Sequence, residues 1–188
     1  MNEKIFTMDS NVKDVTNITL GMALDRVSTE YRNGQLAWTV YKTLSGVGLE
    51  VSEPTHYTKR CDEWGIWSAR EQGTKDNAKN RLSFWFKNET DGVHGYREGD
   101  IFVNIGCGTR AHGLATANYN DCIETHEHMN TAKEVQLRFR NKDNANTARK
   151  SFYDFLMLVA SAYAMKAENA TQSTQDVTQD VTQDVKGA

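Results

Sequence analysis

Two short segments in the second half of the chain alternate apolar and polar residues with a period of two. The first, RLSFWFK, spans 81–87, and its apolar positions are Leu82, Phe84 and Phe86. The second, EVQLRFR, spans 134–140, and its apolar positions are Val135, Leu137 and Phe139. Successive side chains of a strand point to opposite faces, so each segment is predicted to be a strand with one face toward a core. The opposite faces then carry Ser83, Trp85, Lys87, Gln136, Arg138 and Arg140.

Other segments of the middle region also read as strands. The run IFVNI, 101–105, is mostly apolar, and GLEV, 48–51, and GIW, 65–67, are plausible shorter strands. The segment QLAWTVYKTL, 35–44, has apolar residues that alternate and that also recur at helical spacing. Its structure therefore stays open between a strand and a helix.

Two segments have apolar residues at helical spacing. In the first, 17–32, the stripe consists of Leu20, Leu24, Val27 and Tyr31. The Asn33-Gly34 pair predicts the end of this helix, because both residues adopt the left-handed conformation that follows many helices. The second helix is predicted to begin after Asn144, and we expect its wide stripe to pack in the core. That stripe consists of Ala148, Phe152, Phe155, Leu156, Val159 and Tyr163.

The order of these elements, a helix, several strands and a long helix, indicates an α+β fold. We expect a mainly antiparallel sheet, with the N-terminal helix and the long C-terminal helix packed on one face. The 188 residues suffice for one globular domain with a substantial core, which we place at 1–166. Residues 167–188 include three TQDV repeats. One valine in each repeat offers too little apolar surface to order a segment, so we expect a disordered tail.

Charge and hydropathy bound the partners of the chain. The formal net charge is -3 at pH 7, which excludes a wholly basic nucleic-acid coat and a polyanionic mimic of DNA. Both ends are acidic, whereas basic residues slightly outnumber acidic ones between 56 and 150. No apolar stretch approaches the about 20 residues needed to cross a bilayer, and the first residues lack the pattern of a secretory signal. We therefore expect a cytoplasmic protein with reduced cysteines and no membrane partner.

Aromatic and basic residues are interleaved from 57 to 87. Bases stack on aromatic faces while Lys and Arg contact phosphates, and this combination is typical of single-strand binders. We expect Trp64 and Trp67 to be core residues and Trp85 to lie on the polar face of its strand. If that strand and the one at 134–140 share a sheet, an aromatic and basic platform should face outward, opposite the helices. The predicted nucleic-acid-binding residues are Lys79, Arg81, Trp85, Lys87, Arg138 and Arg140.

A metal site is a second candidate. Thiolate and imidazole are suitable ligands for zinc, and four of them complete a tetrahedral site. The spacing matches no standard zinc finger and includes no CxxC pair, so zinc is kept as an alternative only. The predicted ligands follow the pattern Cys107-x4-His112-x9-Cys122-x3-His126-x-His128.

The apolar run 101–105 leads into a glycine turn, and this stretch ends NIGCGTR. It resembles motif I of the class I S-adenosylmethionine-dependent methyltransferases, a strand followed by a GxGxG turn. Gly106 and Gly108 match the first two glycines, and Arg110 stands where the third would be. The resemblance implies an enzyme with a nucleotide-like cofactor bound at this turn. The rest of the chain offers one clear strand and one long helix, which favours instead a core strand followed by a polar loop, 106–131.

The sequence contains no GxSxG motif and no Cys/His pair with a catalytic signature. It therefore favours a small non-catalytic accessory protein without a cofactor, which binds single-stranded nucleic acid or a nucleic-acid-handling protein. Two alternatives stay open. One is an inhibitor of a host or rival protein machine, and the other is an enzyme centred on 101–128 that uses zinc or a nucleotide cofactor.

Overall fold

A six-stranded sheet is the largest element of the structure. The computed structural model describes residues 20–59, 62–124, 133–141 and 147–164, with side chains from residue 29 onward. The described elements are, in chain order, α1 (Leu20–Gly46), β1 (Leu49–Val51), β2 (Thr55–Tyr57), β3 (Glu63–Glu71), β4 (Arg81–Lys87), β5 (Ile101–Gly106), α2 (Arg110–Asn118), a 3₁₀ turn (Asn120–Cys122), β6 (Glu134–Phe139) and α3 (147–164).

The strands follow the order β1-β3-β4-β5-β6, and β2 also pairs with β3. Every pair is antiparallel. β1 and β2 share one edge of β3, where β1 pairs with its C-terminal end and β2 with its N-terminal end. The two alternating segments of the sequence, now β4 and β6, lie in one sheet with β5 between them.

Helices α1 and α3 pack on the same face of this sheet. The core there includes the apolar residues of β4, β5 and β6 together with the buried stripes of both helices. The ring of Phe152 in α3 lies edge-on at 5.7 Å from both Phe86 and Phe139. Such pairs add about 0.5–1.5 kcal/mol each to the free energy gained from burial. The predicted α+β fold, with both helices on one face of a mainly antiparallel sheet, is confirmed.

Helix α1 continues through the Asn33-Gly34 pair, where the sequence predicted its end. The Asn33 side chain is fully buried, and Gly34 lies so close to Trp64 that a Cβ atom would be 3.0 Å from the indole. The pair therefore serves packing and not termination. The ambiguous segment 35–44 is helical as a result, whereas Tyr31 of the predicted apolar stripe is 66% exposed. The core residues of this segment are Leu36, Ala37, Val40 and Leu44.

The segment predicted as a polar loop, 106–131, contains a helix. Helix α2 spans nine residues and is followed by the 3₁₀ turn. Its buried residues are Ala111 and Ala115, one helical turn apart. A stripe of two alanines produces little apolar periodicity, which is why the pattern did not predict this helix. Residues 125–132 of the same segment lie outside the described residues.

Other sequence predictions also fall outside the described residues. They concern the start of the first helix before residue 20, the residue proposed to precede the last helix, Asn144, and the tail at 167–188. In the part of the chain that the structure describes, no helix combines the length and the apolar character needed to span a membrane.

A buried polar network joins both helices to the end of β4. Asn33 donates through Nδ2 to the backbone carbonyl of Lys87 at 3.0 Å and to Oδ1 of Asn88 at 2.8 Å. Its Oδ1 accepts a hydrogen bond from Nη2 of Arg149 in α3 at 3.3 Å. Burial lowers the pKa of the Arg149 guanidinium, and the charge of Arg32 adds to this lowering. Asn33 thus fixes the point at which α1, α3 and β4 meet.

Replacing Asn33 by alanine should destabilise the fold. The change removes the donor to the buried Oδ1 of Asn88, and an unsatisfied buried group costs about 1–3 kcal/mol. Gln35→Ala is the matched control, because Gln35 lies on the same helix with an exposed side chain. Denaturant titration should show a clear loss for Asn33→Ala and a change within about 0.5 kcal/mol for the control. Equal stability of the two variants would contradict a structural role for the network.

Candidate nucleic-acid interface

The face of the sheet opposite α1 and α3 carries a row of residues in register. Gly65 of β3, Trp85 of β4, Phe102 of β5 and Arg138 of β6 are consecutive neighbours across four strands. Trp85 points away from the helices, because its two neighbours along β4 are core residues and successive side chains alternate. The direction predicted for Trp85 from the alternation therefore agrees with the structure.

Three aromatic residues, Tyr57, Trp67 and Trp85, gather on this face and form the outer aromatic cluster. The ring centroids of Tyr57 and Trp67 lie 5.7 and 5.9 Å from that of Trp85. Trp67 is 49% exposed and Tyr57 is 37% exposed. Gly65 makes room for the cluster, since a Cβ atom there would come within 2.6 Å of the Trp85 ring and 2.9 Å of the Tyr57 ring. Two large rings thus remain open to solvent.

The two tryptophans of β3, Trp64 and Trp67, lie in different environments. Trp64 is half-buried, packs against the core and contacts Gly34 of α1, in line with the core role expected for it. The same expectation for Trp67 is wrong. Ile66 occupies the core position between them, so the alternation of the strand places Trp67 on the outer face.

The outer aromatic cluster borders an open cleft of about 590 Å³. Lys59, which is exposed, lines this cleft. The guanidinium of Arg81 lies over the Trp67 ring, 4.4 Å from its centroid, and Nη1 donates to Asp76 at 3.2 Å. Lys59 and Arg81 therefore supply positive charge beside the aromatic surface. The other lining residues of the cleft are His56, Tyr57, Thr58, Glu63, Trp67 and Trp85.

Two of the predicted phosphate-binding cations, Lys87 and Arg138, are buried. Each is 8% exposed. Lys87 pairs with the carboxylate of Glu63, and Arg138 donates through Nη2 to Asp100 at 2.6 Å and through Nη1 to Glu124 at 3.4 Å. Buried charges need such partners because desolvation of each ion is costly. The outward basic platform expected from the alternation is thus corrected at these two positions, where the cations neutralise buried carboxylates.

The loop between β4 and β5 covers both cations. Residues 88–100 fold back through a bridge between Asp91 and Tyr96. The Tyr96 ring then packs at 4.9 Å from Phe102, and the Lys87 ammonium lies 4.6 Å from the centroid of Tyr96. This loop has no regular periodicity, so its position over the sheet had no signal in the sequence.

The remaining predicted cations lie at the surface but at different places. Lys79 is exposed in the turn before β4, close in sequence to Arg81. Arg140 follows β6, and its Nη2 is 3.4 Å from Oε1 of Glu124. Because β6 is three strands from β3, this end of the face lies about 14 Å from Trp67 in the hydrogen-bonding direction. Arg81 and Trp85 therefore both lie against the Trp67 ring, whereas Arg138 and Arg140 do not lie at the aromatic cluster.

The predicted zinc ligands are only partly described. Cys107 and Cys122 are half-buried, and His112 lies on α2. These three do not form a group of ligand atoms within 4.8 Å of one another. His126 and His128 lie outside the described residues, so the complete set stays a prediction.

A different group of ligand atoms meets that distance. Among the described residues, one atom each of Glu30, His56 and Asp62 lies within 4.8 Å of the other two. The three residues come from separate elements and have no motif spacing, so the sequence pattern gave no signal for this group.

The glycine turn after β5 is occupied by the protein's own backbone. A Cβ atom on Gly106 would come within 2.3 Å of the carbonyl oxygens of Ala78 and Lys79, and Gly108 donates its backbone N–H to Lys79 at 2.8 Å. A nucleotide-binding turn keeps this approach open for its ligand and belongs to parallel βα units. β5 instead lies between two antiparallel neighbours. The resemblance to the methyltransferase motif is therefore confined to the sequence of the turn.

Gly106→Ala should lower the stability of the protein, because the added methyl group meets backbone atoms. Overpacking of this kind costs about 1–3 kcal/mol. Gly113→Ala is the control: nothing lies within 4 Å of its added Cβ, and alanine in a helix is better than glycine by about 1 kcal/mol. Urea unfolding should therefore move the two variants in opposite directions. A Gly106→Ala protein as stable as the parent would show that the turn has room to spare.

Comparison with known proteins supplies no assignment for the site. No family model matches the chain, and neither a curated protein nor a solved structure is significantly similar to it.

Proposed function

We propose that this chain binds single-stranded nucleic acid, with unpaired bases stacked on the outer aromatic cluster. The observation that carries the proposal is the exposure of Trp67 and Tyr57 beside Trp85, on the face that points away from α1 and α3. Stacking of a base on an aromatic ring contributes about 1–3 kcal/mol, and every base has a π-face. The surface therefore suits single strands with little preference for sequence.

The charges beside the cluster support this proposal to a limited degree. Lys59 lines the cleft beside the cluster, and Arg81 lies over the Trp67 ring. Lys79 is exposed two residues before Arg81, and each of the three can approach a phosphate. The carboxylate of Asp76 pairs with both Arg81 and Arg70, which reduces the local positive field. We expect stacking to supply most of the affinity and phosphate contacts a smaller share.

Lys87 and Arg138 have a different role in the proposal from the one that the alternation predicted. Lys87 neutralises the carboxylate of Glu63, and Arg138 neutralises that of Asp100, on the same face as the cluster. Without these cations, buried negative charge would lie beside the path of the phosphates and repel them. Lys87 and Arg138 therefore make the surface suitable for a nucleic-acid strand without contacting that strand themselves.

Trp67→Ala should weaken binding of a single-stranded oligonucleotide. Loss of one stacking surface corresponds to a rise in Kd of about 5- to 150-fold. Trp38→Ala is the matched control, because Trp38 is 41% exposed and lies on α1, on the opposite side of the sheet. Fluorescence anisotropy with labelled DNA and RNA strands of about ten nucleotides measures both variants. Equal losses in the two variants, or no loss in either, would count against the proposal.

The same titrations at several salt concentrations separate surface cations from buried ones. Lys59→Ala and Arg81→Ala should each reduce the slope of log Kd against log salt by about one. Lys87→Met should leave the slope unchanged and lower the stability by about 3–5 kcal/mol, because the buried carboxylate of Glu63 loses this ammonium. A reduced slope at unaltered stability for Lys87→Met would return this residue to the phosphate-contacting set.

A groove on the helical side favours a second function, the binding of a protein. Tyr31, Trp38 and Tyr153 line an open groove of about 700 Å³ beside α1, and Met157 of α3 is also exposed. Aromatic and methionine side chains grouped at a surface are typical of protein interfaces. The partner at this surface would be a nucleic-acid-handling protein, or a host or rival protein machine that the chain inhibits.

Affinity capture from nuclease-treated lysate tests this second function. A protein partner of the groove should be recovered with the parent and with Trp67→Ala, and its recovery should fall at least severalfold with Trp38→Ala, because Trp38 lines the groove. Quantitative mass spectrometry compares the three samples. Recovery that depends on Trp67 and not on Trp38 would assign the partner to the outer face instead.

A further inference from the structure

We propose that Glu30, His56 and Asp62 form a binding site for one divalent transition-metal ion. Glu30 lies on α1, His56 on β2, and Asp62 directly before β3. The fold brings one ligand atom of each within 4.8 Å of the other two. This site is separate from the cysteine and histidine set at 107–128, and it does not depend on the proposed binding of nucleic acid.

The three ligand atoms lie close enough for one ion, and the two carboxylates approach different nitrogens of the His56 ring. Nδ1 of His56 is 3.5 Å from Oε1 of Glu30, and Nε2 is 2.7 Å from Oδ1 of Asp62. Two donors that each bind a metal at about 2.0–2.2 Å stand about 3–4 Å apart, depending on the angle between the bonds. An ion bound at Nε2 takes the place of a proton there, so the Asp62 carboxylate needs to move only slightly. Glu30 has to change rotamer to reach the same ion from the Nδ1 side of the ring.

The imidazole and the Asp62 carboxylate are already held by neighbouring side chains. The His56 ring stacks on the Trp64 indole, with centroids 5.0 Å apart and planes 8° apart. Asn88 donates through Nδ2 to Oδ1 of Asp62 at 2.8 Å, and its own Oδ1 accepts from Asn33 at 2.8 Å. Neighbours of this kind orient metal ligands, and their loss lowers metal affinity by about 10–100-fold. The buried network around Asn33 therefore extends to this site and keeps two of its ligands in place.

The donor set selects the class of ion. Two carboxylates bring negative charge and one imidazole brings a nitrogen ligand, which suits Zn²⁺, Ni²⁺ and Co²⁺ better than Ca²⁺ or Mg²⁺, whose sites consist of oxygen. The three side chains are partly exposed, and Glu30 and Trp64 line the open groove beside α1. An ion can therefore enter from solvent. Three protein ligands leave at least one coordination position for water.

The pair His94 and Asp91 provides a comparison within the same chain. Nδ1 of His94 lies 2.6 Å from Oδ2 of Asp91, and hydrogen bonds from His94 and from the backbone of Val93 lower the pKa of Asp91. Within the described residues this pair belongs to no group of three ligand atoms at metal-binding distance. It has the same donor types without the third ligand, so it should not hold an ion at stoichiometric affinity.

Isothermal titration calorimetry, in which Zn²⁺ is added to the metal-free full chain, tests the proposal. We expect one equivalent to bind to the parent and to His94→Ala. Glu30→Gln alters a partly exposed side chain and should raise the Kd at least tenfold, while His56→Ala should abolish stoichiometric binding. Thermal unfolding of each metal-free variant shows whether that variant is folded. If His56→Ala does not fold, Glu30→Gln still tests the site.

Three results would overturn the proposal. The first is no stoichiometric binding to the parent, which leaves only an ion pair between the imidazole and its carboxylates. The second is unchanged affinity in Glu30→Gln and His56→Ala. The third is loss of binding in Cys107→Ser together with the strong absorption of thiolate-bound Co²⁺, which would assign the metal to the cysteine and histidine set. Co²⁺ binding without that absorption, retained in Cys107→Ser, supports the proposal.

Discussion

The packing of α1 and α3 on the same face of one antiparallel sheet is the constraint on which the other features depend. It assigns alternate residues of β4, β5 and β6 to the core, where Phe86 and Phe139 meet the rings of α3. The same alternation sends the intervening residues to a face that no described helix covers. On that face, polar groups must be satisfied by neighbouring side chains and by the loop before β5.

That face is divided into two regions with different physics. Beneath the loop between β4 and β5, Lys87 and Arg138 are desolvated and paired with carboxylates. Such pairs add little net stability but are costly to break. On the side of β2 and β3, the rings of Tyr57 and Trp67 stay open to solvent. Trp85 lies at the boundary, since it lines both the aromatic cleft and the recess that contains Lys87. Exposed aromatic patches of this kind often mark interaction sites.

Local periodicity predicted the fold class, but it missed α2 and did not predict the site. The alternation in β4 and β6 predicted both strands and their core faces, because a period of two is contained in the segment itself. It could not predict the burial of Lys87 and Arg138, because their carboxylate partners come from other parts of the chain. The Asn33-Gly34 pair was taken for a helix end because Asn-Gly is typical of helix ends. The same two residue types serve here as a buried amide and as a glycine packed against a ring. The group of possible metal ligands had no sequence signal either, and it consists of Glu30, His56 and Asp62.

β2 has only three residues, and two of them face opposite sides of the sheet. The ring of His56 stacks on Trp64 toward α1, whereas the ring of Tyr57 lies beside Trp85 on the outer face. Because the two side chains share one short stretch of backbone, a twist of the strand that moves one ring also moves the other. A metal ion at His56 and a base on Tyr57, the two proposed ligands, would therefore act on the same stretch of backbone. Any coupling between the two proposed sites would be reciprocal, so each ligand would change the affinity of the other by the same factor.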